Sequence, residues 1–381
     1  MTMRRRLFDA EHDAFRDSFR RFIDAEAVPN VNQWEAAGVT PRGFWKKAGA
    51  LGFLGFEAPT EFGGVDIHDF RYNAIIQEEV AASGIATDGF ALHNDILAPY
   101  LIEYADEEQR SRWLPGFVSG ELVTAIAMTE PGTGSDLAAI TTKATYDGDH
   151  LVVEGSKTFI TNGSSADLVL VLARTGEREG RGMTLVAIER GTKGLIQQAP
   201  LKKAGRKGQD TAEIVIDGCR VPRANIVGVA GNAFDLVKRN LARERLSIAV
   251  YAVASAREGL RLALEHTRAR KTFRRPIASH QAVLHGLAGM HTDIEVAQSH
   301  VDACVVALND GELTAHDAAG IKYWATDLES RVLDQSLQYF GGYGFMDEYP
   351  ISRRWRDARV QRIYGGANEI MRDIVGRQLI R

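Results

Sequence analysis

Met128-Thr-Glu-Pro-Gly-Thr-Gly-Ser-Asp136 is the stretch from which the rest of the chain can be interpreted. It combines glycines, hydroxyl groups and carboxylates with almost no apolar side chain, so core packing does not explain it. The run before it, Leu122-Val-Thr-Ala-Ile-Ala127, is typical of a short buried strand. Glycine-rich backbone with hydroxyl groups suits a flat heterocycle and its phosphates. The stretch therefore indicates a cofactor loop, with a tight surface turn as the alternative.

A second polar turn, Phe159-Ile-Thr-Asn-Gly163, lies in the same region at the end of an alternating run. From about residue 121 to residue 223 the hydrophobic period is two, which predicts short strands separated by turn signals. The strands are predicted at His150-Leu-Val-Val-Glu154, Asp167-Leu-Val-Leu-Val-Leu172, Met183-Thr-Leu-Val-Ala-Ile188 and Thr211-Ala-Glu-Ile-Val-Ile216. Two polar turns within one β region favour the cofactor interpretation.

On both sides of this β region the hydrophobic period becomes helical. Phe15, Phe19 and Phe22 share one helical face near the amino terminus. After the β region, long helices are predicted to about residue 268, from about residue 278 and over residues 315–340, and a short fourth helix closes the chain. The predicted fold is multidomain α+β, with an N-terminal α-helical domain over residues 1–120, a middle antiparallel β domain over residues 121–230 and a C-terminal four-helix bundle over residues 231–381.

Composition limits the classes of function. A chain of 381 residues is too long for one ordinary core, and 45% hydrophobic with 25% charged residues is typical of a globular protein. A net charge of −4 gives no electrostatic case for nucleic acid or a membrane surface. Arg4-Arg5-Arg6 is not followed by the apolar segment of a secretory signal. Cys219 and Cys304 lack CxxC partners, so we expect no metal site and a reducing, cytoplasmic compartment.

Several motifs, in order along essentially the whole chain, resemble those of the acyl-CoA dehydrogenases. They are the loop at residues 129–136, the turn at residues 159–163, Arg270-Lys-Thr-Phe273, Gln338-Tyr-Phe-Gly-Gly-Tyr-Gly344 and Ile363-Tyr-Gly-Gly-Ala-Asn-Glu-Ile370. The resemblance implies an FAD enzyme that converts a fatty or branched acyl-CoA thioester to the trans-2-enoyl-CoA. It also implies an electron-transferring flavoprotein as electron acceptor and a homo-oligomer, a tetramer.

The resemblance also implies which residues meet the cofactor. Phe159 takes the place of a tryptophan found in many members beside the flavin, and Thr161 would lie near flavin N5. Arg270 and Gln281 resemble the pair that meets the pyrophosphate and adenine half, which a neighbouring subunit contributes. The full implied set is Met128, Thr129, Gly134, Ser135, Phe159, Thr161, Arg270, Thr272, Phe273, Gln281, Gln338, Gly341, Gly342, Ala367, Asn368 and Glu369.

The sequence departs from much of the family at the catalytic base. That base is commonly a glutamate directly after the tyrosine of the C-terminal Ile-Tyr pair, where this chain has Gly365. In the isovaleryl and long-chain branches, the glutamate instead precedes an arginine on an early helix of the C-terminal domain, and Glu244-Arg245 stands at that place. The resemblance therefore implies Glu244 as base and flavin N5 as hydride acceptor. A solvated glutamate paired with a nearby arginine is the structural alternative.

The remaining substrate assignments follow from the same resemblance. Ser135, Arg245, Gly365 and Gly366 would bind the substrate. Lys322-Tyr-Trp-Ala-Thr326 and the segments around residues 340–346 and 364–371 look most like the long-chain branch.

Some alternatives stay open at this point. An acyl tunnel is expected along residues 89–100, where Asn94 and Asp95 are more polar than a long tail prefers. A branched or sterol-derived acyl group therefore stays open. Two other functions also stay open: an acyl-CoA oxidase-type flavoenzyme, and a non-catalytic partner subunit of a mixed dehydrogenase oligomer.

Overall fold

The N-terminal part of the chain is helical. The computed structural model describes residues 5–85, 87, 89–176 and 182–380. The first helices are α1 (Ala10–Glu26), α2 (Val31–Ala37), α3 (Arg42–Ala50), α4 (Phe70–Ser83) and α5 (Glu107–Ser119), with π-helical turns at Ala91–Leu97 and Tyr100–Tyr104. Asp9, Asp69 and Asp106 cap α1, α4 and α5 by accepting hydrogen bonds from backbone N–H groups of the first turn.

The middle of the chain forms one sheet. Its strands are β1 (Thr124–Ala127), β2 (Lys143–Asp147), β3 (His150–Thr161), β4 (Leu168–Arg174), β5 (Met183–Glu189), β6 (Leu195–Gln197), β7 (Thr211–Pro222) and β8 (Ile226–Val227). The strand order is β6-β7-β3-β2-β4-β5-β8, with β1 beside β4. The prediction of an antiparallel sheet is confirmed for most pairs. β1 and β2 pair with β4 in parallel, which is possible because neither is joined to β4 by a hairpin.

Strand β4 is buried on both faces. Its leucines pack in one cluster with Trp113 and Phe117 of α5, and its valines pack in another with Leu151 of β3 and Ile214 of β7. A strand covered on both faces needs no polar alternation, which explains its unbroken apolar sequence. The sheet is therefore fixed against the N-terminal helices, and so is the polar loop that follows β1.

The C-terminal part is a helical bundle. It contains α6 (Ala233–Ala269), the hairpin of β9 (Lys271–Thr272) and β10 (Arg275–Pro276), α7 (Gln281–Asn309), α8 (Ala315–Phe340), α9 (Pro350–Ala358) and α10 (Asn368–Leu379). The four predicted helices correspond to α6, α7, α8 and α10. Helix α9 was not predicted, because its nine residues are fewer than the roughly 11–18 over which a helical period is recognised. No described helix is long and apolar enough to cross a membrane.

Helix α6 connects all three regions. Leu236 and Val237 belong to the cluster that contains the leucines of β4. Further along the same helix, Leu246 and Val250 pack with Phe70 of α4 and with the bundle helices. The segment of α6 between these two clusters, which carries Glu244, therefore lies where the helical, β and bundle regions meet.

Candidate active site

The polar loop after β1 is anchored by a buried ion pair. The wholly buried Lys157 donates from Nζ to Glu130 Oε1 at 2.9 Å and to the Met128 carbonyl at 2.9 Å. Burial lowers the pKa of Lys157 to about 8. Burial opposes ionisation of Glu130 as well, but hydrogen bonds from Thr142 and Thr141 lower its pKa to about 2. Neither Glu130 nor Lys157 was predicted as a site residue, although Lys157 stands at an inward position of an otherwise apolar alternation.

The second polar turn lies beside the first. The backbone N–H of Thr158 donates to the Thr129 carbonyl at 2.9 Å, which joins the two segments. The next residue, Phe159, sits at an irregularity in the β3–β7 register with φ 58° and a side chain 68% exposed. Positive φ is costly for a bulky residue, and such strain is typical of functional sites. The turn therefore presents an aromatic ring to the space next to the loop.

The other residues of the two turns are either held by hydrogen bonds from side-chain amides or exposed to solvent. Asn162, also at positive φ, donates to the Thr124 carbonyl at 3.0 Å and accepts from Gln209 at 2.6 Å. Half-buried Met128 and Thr129 stand at the loop entrance, and half-buried Thr161 ends β3. Gly134 and Ser135 are exposed at the tip of the loop. The structure thus brings Met128, Thr129, Phe159 and Thr161 together alongside β1 and the last part of β3, with Gly134 and Ser135 on the loop that leaves β1.

Glu244 points toward the turn formed by Gly365 and Gly366. Its Oε1 atom is 3.7 Å from the position that a Cβ at Gly365 would occupy. Its neighbour Arg243 pairs with Glu57 instead, with Nη1 2.9 Å from Oε2. Glu244 is half-buried and, within the described residues, has neither an ion-pair nor a hydrogen-bond partner. The structural alternative of a glutamate paired on the helix surface is therefore not what the structure contains.

The charge environment of Glu244 balances two effects. Burial raises the pKa of Glu244, while Arg245 and Lys322 favour its ionised form. Tyr100 also faces the carboxylate, and burial followed by the charge of Glu244 raises the pKa of this tyrosine. A carboxylate in such surroundings is a stronger base than one in water, and the two cations favour its ionised form.

The Gly365–Gly366 turn requires glycine. Both residues have positive φ, 63° and 97°. A Cβ at Gly365 would lie 2.4 Å from Ile248 Cδ1, and one at Gly366 would lie 2.4 Å from Met371 Cε. In the described part of the chain, no protein acceptor is found for the N–H of Gly365. The turn therefore offers a peptide donor beside the Glu244 carboxylate, the pair of groups needed to polarise a carbonyl and remove a neighbouring proton.

Two buried cations hold this turn. Arg245 Nε donates to the Gly365 carbonyl at 3.3 Å, and Lys322 Nζ donates to the Gly366 carbonyl at 2.8 Å. The three predicted residues that follow belong to the start of α10. Ala367 precedes the helix, Asn368 is buried and accepts from Lys322 Nζ at 3.0 Å, and Glu369 is exposed.

The second predicted set of cofactor residues gathers elsewhere, where α6 ends, α7 begins and α8 ends. The set comprises Arg270, Thr272, Phe273, Gln281, Gln338, Gly341 and Gly342. The Phe273 ring is 91% exposed with φ 49°, and no atom lies within 4 Å of a Cβ placed at Gly341 or Gly342. Along α6, Glu244 and Arg270 are 270 − 244 = 26 residues apart, which corresponds to roughly 39 Å. On one chain, Glu244 is therefore far from the Arg270 end of the second set.

Both sets suit the halves of a flavin dinucleotide. The first offers hydroxyl groups, backbone donors and the exposed Phe159 ring, which match a flat heterocycle. The second offers the exposed Arg270 guanidinium and open space over two glycines, which match a phosphate group. Among the described residues no group of His, Cys, Asp and Glu side chains is arranged to hold a metal ion.

The polar side chains of the expected acyl tunnel form hydrogen bonds with other groups of the protein. Asn94 accepts from the Gly55 N–H and donates to the Phe53 carbonyl, each at 2.9 Å. Asp95 accepts from Asn73 at 2.7 Å, from Gln77 at 3.0 Å and from a serine hydroxyl of α6. Burial raises the pKa of Asp95 to about 6. These two residues therefore do not add polarity to an acyl channel.

Comparisons with known proteins cover nearly the whole chain. Family models described as the acyl-CoA dehydrogenase N-terminal, middle and C-terminal domains match residues 9–121, 125–219 and 231–380. The long-chain specific acyl-CoA dehydrogenase of Rattus norvegicus mitochondria is 40% identical over 99% of this chain and 88% of its own length.

Solved structures agree with this result. An acyl-CoA dehydrogenase from Geobacillus kaustophilus superposes over 100% of both chains with a TM-score of 0.96 and 41% identity. An acyl-CoA dehydrogenase from Bacillus anthracis, solved in complex with FAD, has a TM-score of 0.90 and 29% identity over 98% of this chain and 67% of its own. The predicted three-part fold is confirmed by these matches.

Proposed function

Because this chain belongs to the acyl-CoA dehydrogenase family and is an FAD-dependent enzyme that oxidises acyl-CoA, we propose that Glu244 is its catalytic base. The observation that carries the proposal is the 3.7 Å separation between Glu244 Oε1 and the place where a side chain at Gly365 would begin. A carboxylate from either position would reach the same point in space. Position 365 is a glycine and has no side chain here, so Glu244 supplies the carboxylate.

The protein's own groups then perform the following roles. Glu244 receives the α-proton, and its raised pKa makes it a better match for that weak acid than a solvated carboxylate. The free N–H of Gly365 donates to the thioester carbonyl, where negative charge develops as the proton leaves. Phe159 and Thr161 would hold the flavin of FAD, which would supply the hydride acceptor for the β-hydrogen. Arg245, Gly366 and Ser135 complete the substrate-facing surface.

We also propose a long, apolar acyl group as substrate. Leu97, Tyr100 and Leu101 lie in one apolar cluster with Leu236 and Val237 of α6, next to the Glu244 segment. Asn94 and Asp95 have their hydrogen-bonding atoms occupied by the protein, which removes the polarity that argued against a long tail. The 40% identity to a relative named for long-chain substrates supports the same choice.

The geometry further supports an oligomer that shares its cofactor sites. Since Glu244 and Arg270 are ~39 Å apart along one helix, the Arg270 set of a second chain would complete the site that contains Glu244 of the first. We propose a homotetramer on this basis, with an electron-transferring flavoprotein as the electron acceptor.

A pair of glutamine variants on one helix tests the base. Glu244→Gln is expected to bind FAD and acyl-CoA but to slow anaerobic flavin bleaching by roughly 10²–10⁴-fold, the usual contribution of a general base. Glu265→Gln makes the same change at an exposed position of α6 and is expected to behave as wild type. Wild-type bleaching by Glu244→Gln would show that the base lies elsewhere.

The same purified protein separates the two rival functions. Anaerobic bleaching should be measured against a panel of acyl-CoA substrates of varied length and branching, and the longest apolar chains are expected to react best. Rapid reoxidation in air with peroxide release would indicate an oxidase. A colourless protein that takes up no FAD would indicate a non-catalytic subunit.

A further inference from the structure

Lys322 is a buried cation at the centre of the proposed site. Its side chain is wholly buried in α8, and its Nζ donates to the Gly366 carbonyl at 2.8 Å and to Asn368 Oδ1 at 3.0 Å. It therefore holds the segment that carries Gly365 and its unpaired N–H. Arg245 holds the preceding carbonyl, so two successive peptide groups are oriented by two cations from different helices.

The charged and titratable groups around Lys322 and Glu244 come from several elements that pack against each other. Arg245 of α6 and Tyr100 of the π-helical turn face Glu244 together with Lys322 of α8. Burial, followed by Arg245, lowers the pKa of Lys322 to about 8, and Glu244, Asp327 and Glu369 act in the opposite direction. The ammonium is thus charged at neutral pH and is electrostatically coupled to the proposed base.

Holding two oxygen acceptors does not in itself need a charge. A neutral amide or hydroxyl could donate to the same carbonyl, and burying an ammonium group is costly unless its charge is used. The only acidic group to which both Lys322 and Arg245 are coupled in these surroundings, within the described residues, is Glu244. The charges of Lys322 and Arg245 therefore act together on Glu244, while Lys322 also interacts with Asp327 and Glu369.

We propose that Lys322 is a positioning residue for α-proton removal, which fixes the Gly365–Gly366 turn against Glu244 and supplies the positive field that keeps this carboxylate ionised. The proposal rests on the proposed function, in which Glu244 is the base. Lys322 contacts neither acyl-CoA nor FAD in this role. It acts through the base and through the peptide that binds the thioester carbonyl.

Variants at Lys322 and at its neighbour Thr326 separate charge from structure. Lys322→Met removes the charge with little change in volume, and Lys322→Arg retains it. Thr326→Val removes only a hydroxyl, which exchanges hydrogen bonds with Asn368 at 2.9 and 3.2 Å and donates to the backbone carbonyls of Lys322 and Tyr323. For each variant we would measure anaerobic bleaching by acyl-CoA from pH 6 to 9, FAD content, the melting midpoint and hydrogen exchange of the peptide covering residues 360–370.

The expected result is a shift in pH dependence. Loss of the positive charge raises the pKa of Glu244, so the pH of half-maximal bleaching in Lys322→Met should rise by about one unit, with roughly tenfold slower bleaching below it. Hydrogen exchange in residues 360–370 should accelerate. Lys322→Arg and Thr326→Val should keep the wild-type pH midpoint.

Each other result contradicts the proposal. An unmoved pH midpoint in Lys322→Met, or an equal shift in Thr326→Val, would show that the lysine has only a structural role. If Lys322→Met loses FAD, the pH midpoint is measured on Lys322→Gln instead. Loss of FAD by both lysine variants, with FAD retained by Thr326→Val, would show that Lys322 is needed for folding. Glu244→Gln separates the two proposals, because normal activity in that variant removes the base itself.

Discussion

Glu244 and Gly365 form a pair in which one residue supplies the carboxylate and the other leaves space for it. Moving the carboxylate to position 365 meets an obstacle that the sequence does not reveal. Gly365 has φ 63°, and a Cβ there would contact Ile248 Cδ1 at 2.4 Å. The exchange therefore needs a third change that shortens the isoleucine.

We expect Gly365→Glu to restore no activity to Glu244→Gln, and Gly365→Glu with Ile248→Ala to restore part of it. The reason is that the new side chain starts 3.7 Å from the lost carboxylate oxygen once Ile248 no longer blocks it. Rates of anaerobic bleaching check this, with Glu244→Gln/Ile248→Ala as the control. Equal rates in the control and the triple variant would contradict convergence of the two positions.

Glu329 provides a prediction about stability and pH. It is wholly buried in α8, and burial raises its pKa to about 8, although Ser255 and Arg206 favour the ionised form. The folded protein therefore holds a proton that the unfolded chain, with a pKa of 4.5, has lost, so this residue destabilises the fold increasingly as pH rises between these values.

Glu329→Gln is expected to raise the melting midpoint by about 3 °C or more at pH 8, with a smaller gain at pH 5. Thermal unfolding across this pH range is the measurement. A gain that is constant with pH would mean that the pKa of Glu329 is the same in the folded and unfolded protein, and a loss at pH 8 would mean that its charge is stabilising.

The resemblance to the family pointed to Glu244 because two positions were considered together, a glycine at 365 where many members have the base and a glutamate at the helix site used by other branches. It did not indicate Lys157 or Lys322. Besides Glu130 and Asn368, these lysines donate to the Met128 and Gly366 carbonyls, 29 and 44 residues away along the chain. Every residue has a backbone carbonyl, so the sequence offers no residue type by which such a partner could be recognised.

At the scale of elements, the loop after β1 depends on the strand beneath it. Lys157→Met should leave Glu130 as an uncompensated buried charge and destabilise the protein by about 3–5 kcal/mol. It should also weaken FAD retention, because the Met128 carbonyl loses its donor. Chemical denaturation and FAD content measure these effects. Lys143→Met on β2 removes an exposed lysine and should change neither quantity.

The elements themselves were largely predictable. Alternation identified β3, β4, β5 and β7, and the helical period identified α6, α7 and α8, because these elements are long enough to show their period. Helix α9 and the parallel pairing of β1 with β4 were not predicted. The first is short and begins at Pro350, and the second depends on tertiary contacts that no local pattern encodes.

At the scale of the whole molecule, the separation of Glu244 from Arg270 predicts complementation between chains. In an assembly of Glu244→Gln and Arg270→Glu chains, a site with the Glu244 of one chain and the Arg270 of the other has both native residues. Each variant alone should be inactive. Co-expression should restore activity to about a quarter of the sites under random pairing.

The measurement is bleaching by co-purified mixed oligomers, with chains mixed after separate purification as the control. No recovery in the mixed oligomers would mean that one chain holds its whole cofactor. The sequence suggested a shared site only through a resemblance. The physical reason is the length of α6, which has 37 uninterrupted residues. The helical period can predict this length, but only the structure shows which groups lie at each end of the helix.

Helix α6 also has a consequence for gene dosage. A lesion at Glu244 would silence only the site of its own chain, so a cell with equal amounts of both chains would keep half of its sites. A lesion that bends α6 would remove Glu244 from one site and Arg270 from another. With random pairing only about a quarter of the sites would survive. Two variants in the same helix, both null when alone, would thus differ in how strongly one altered allele affects its carrier.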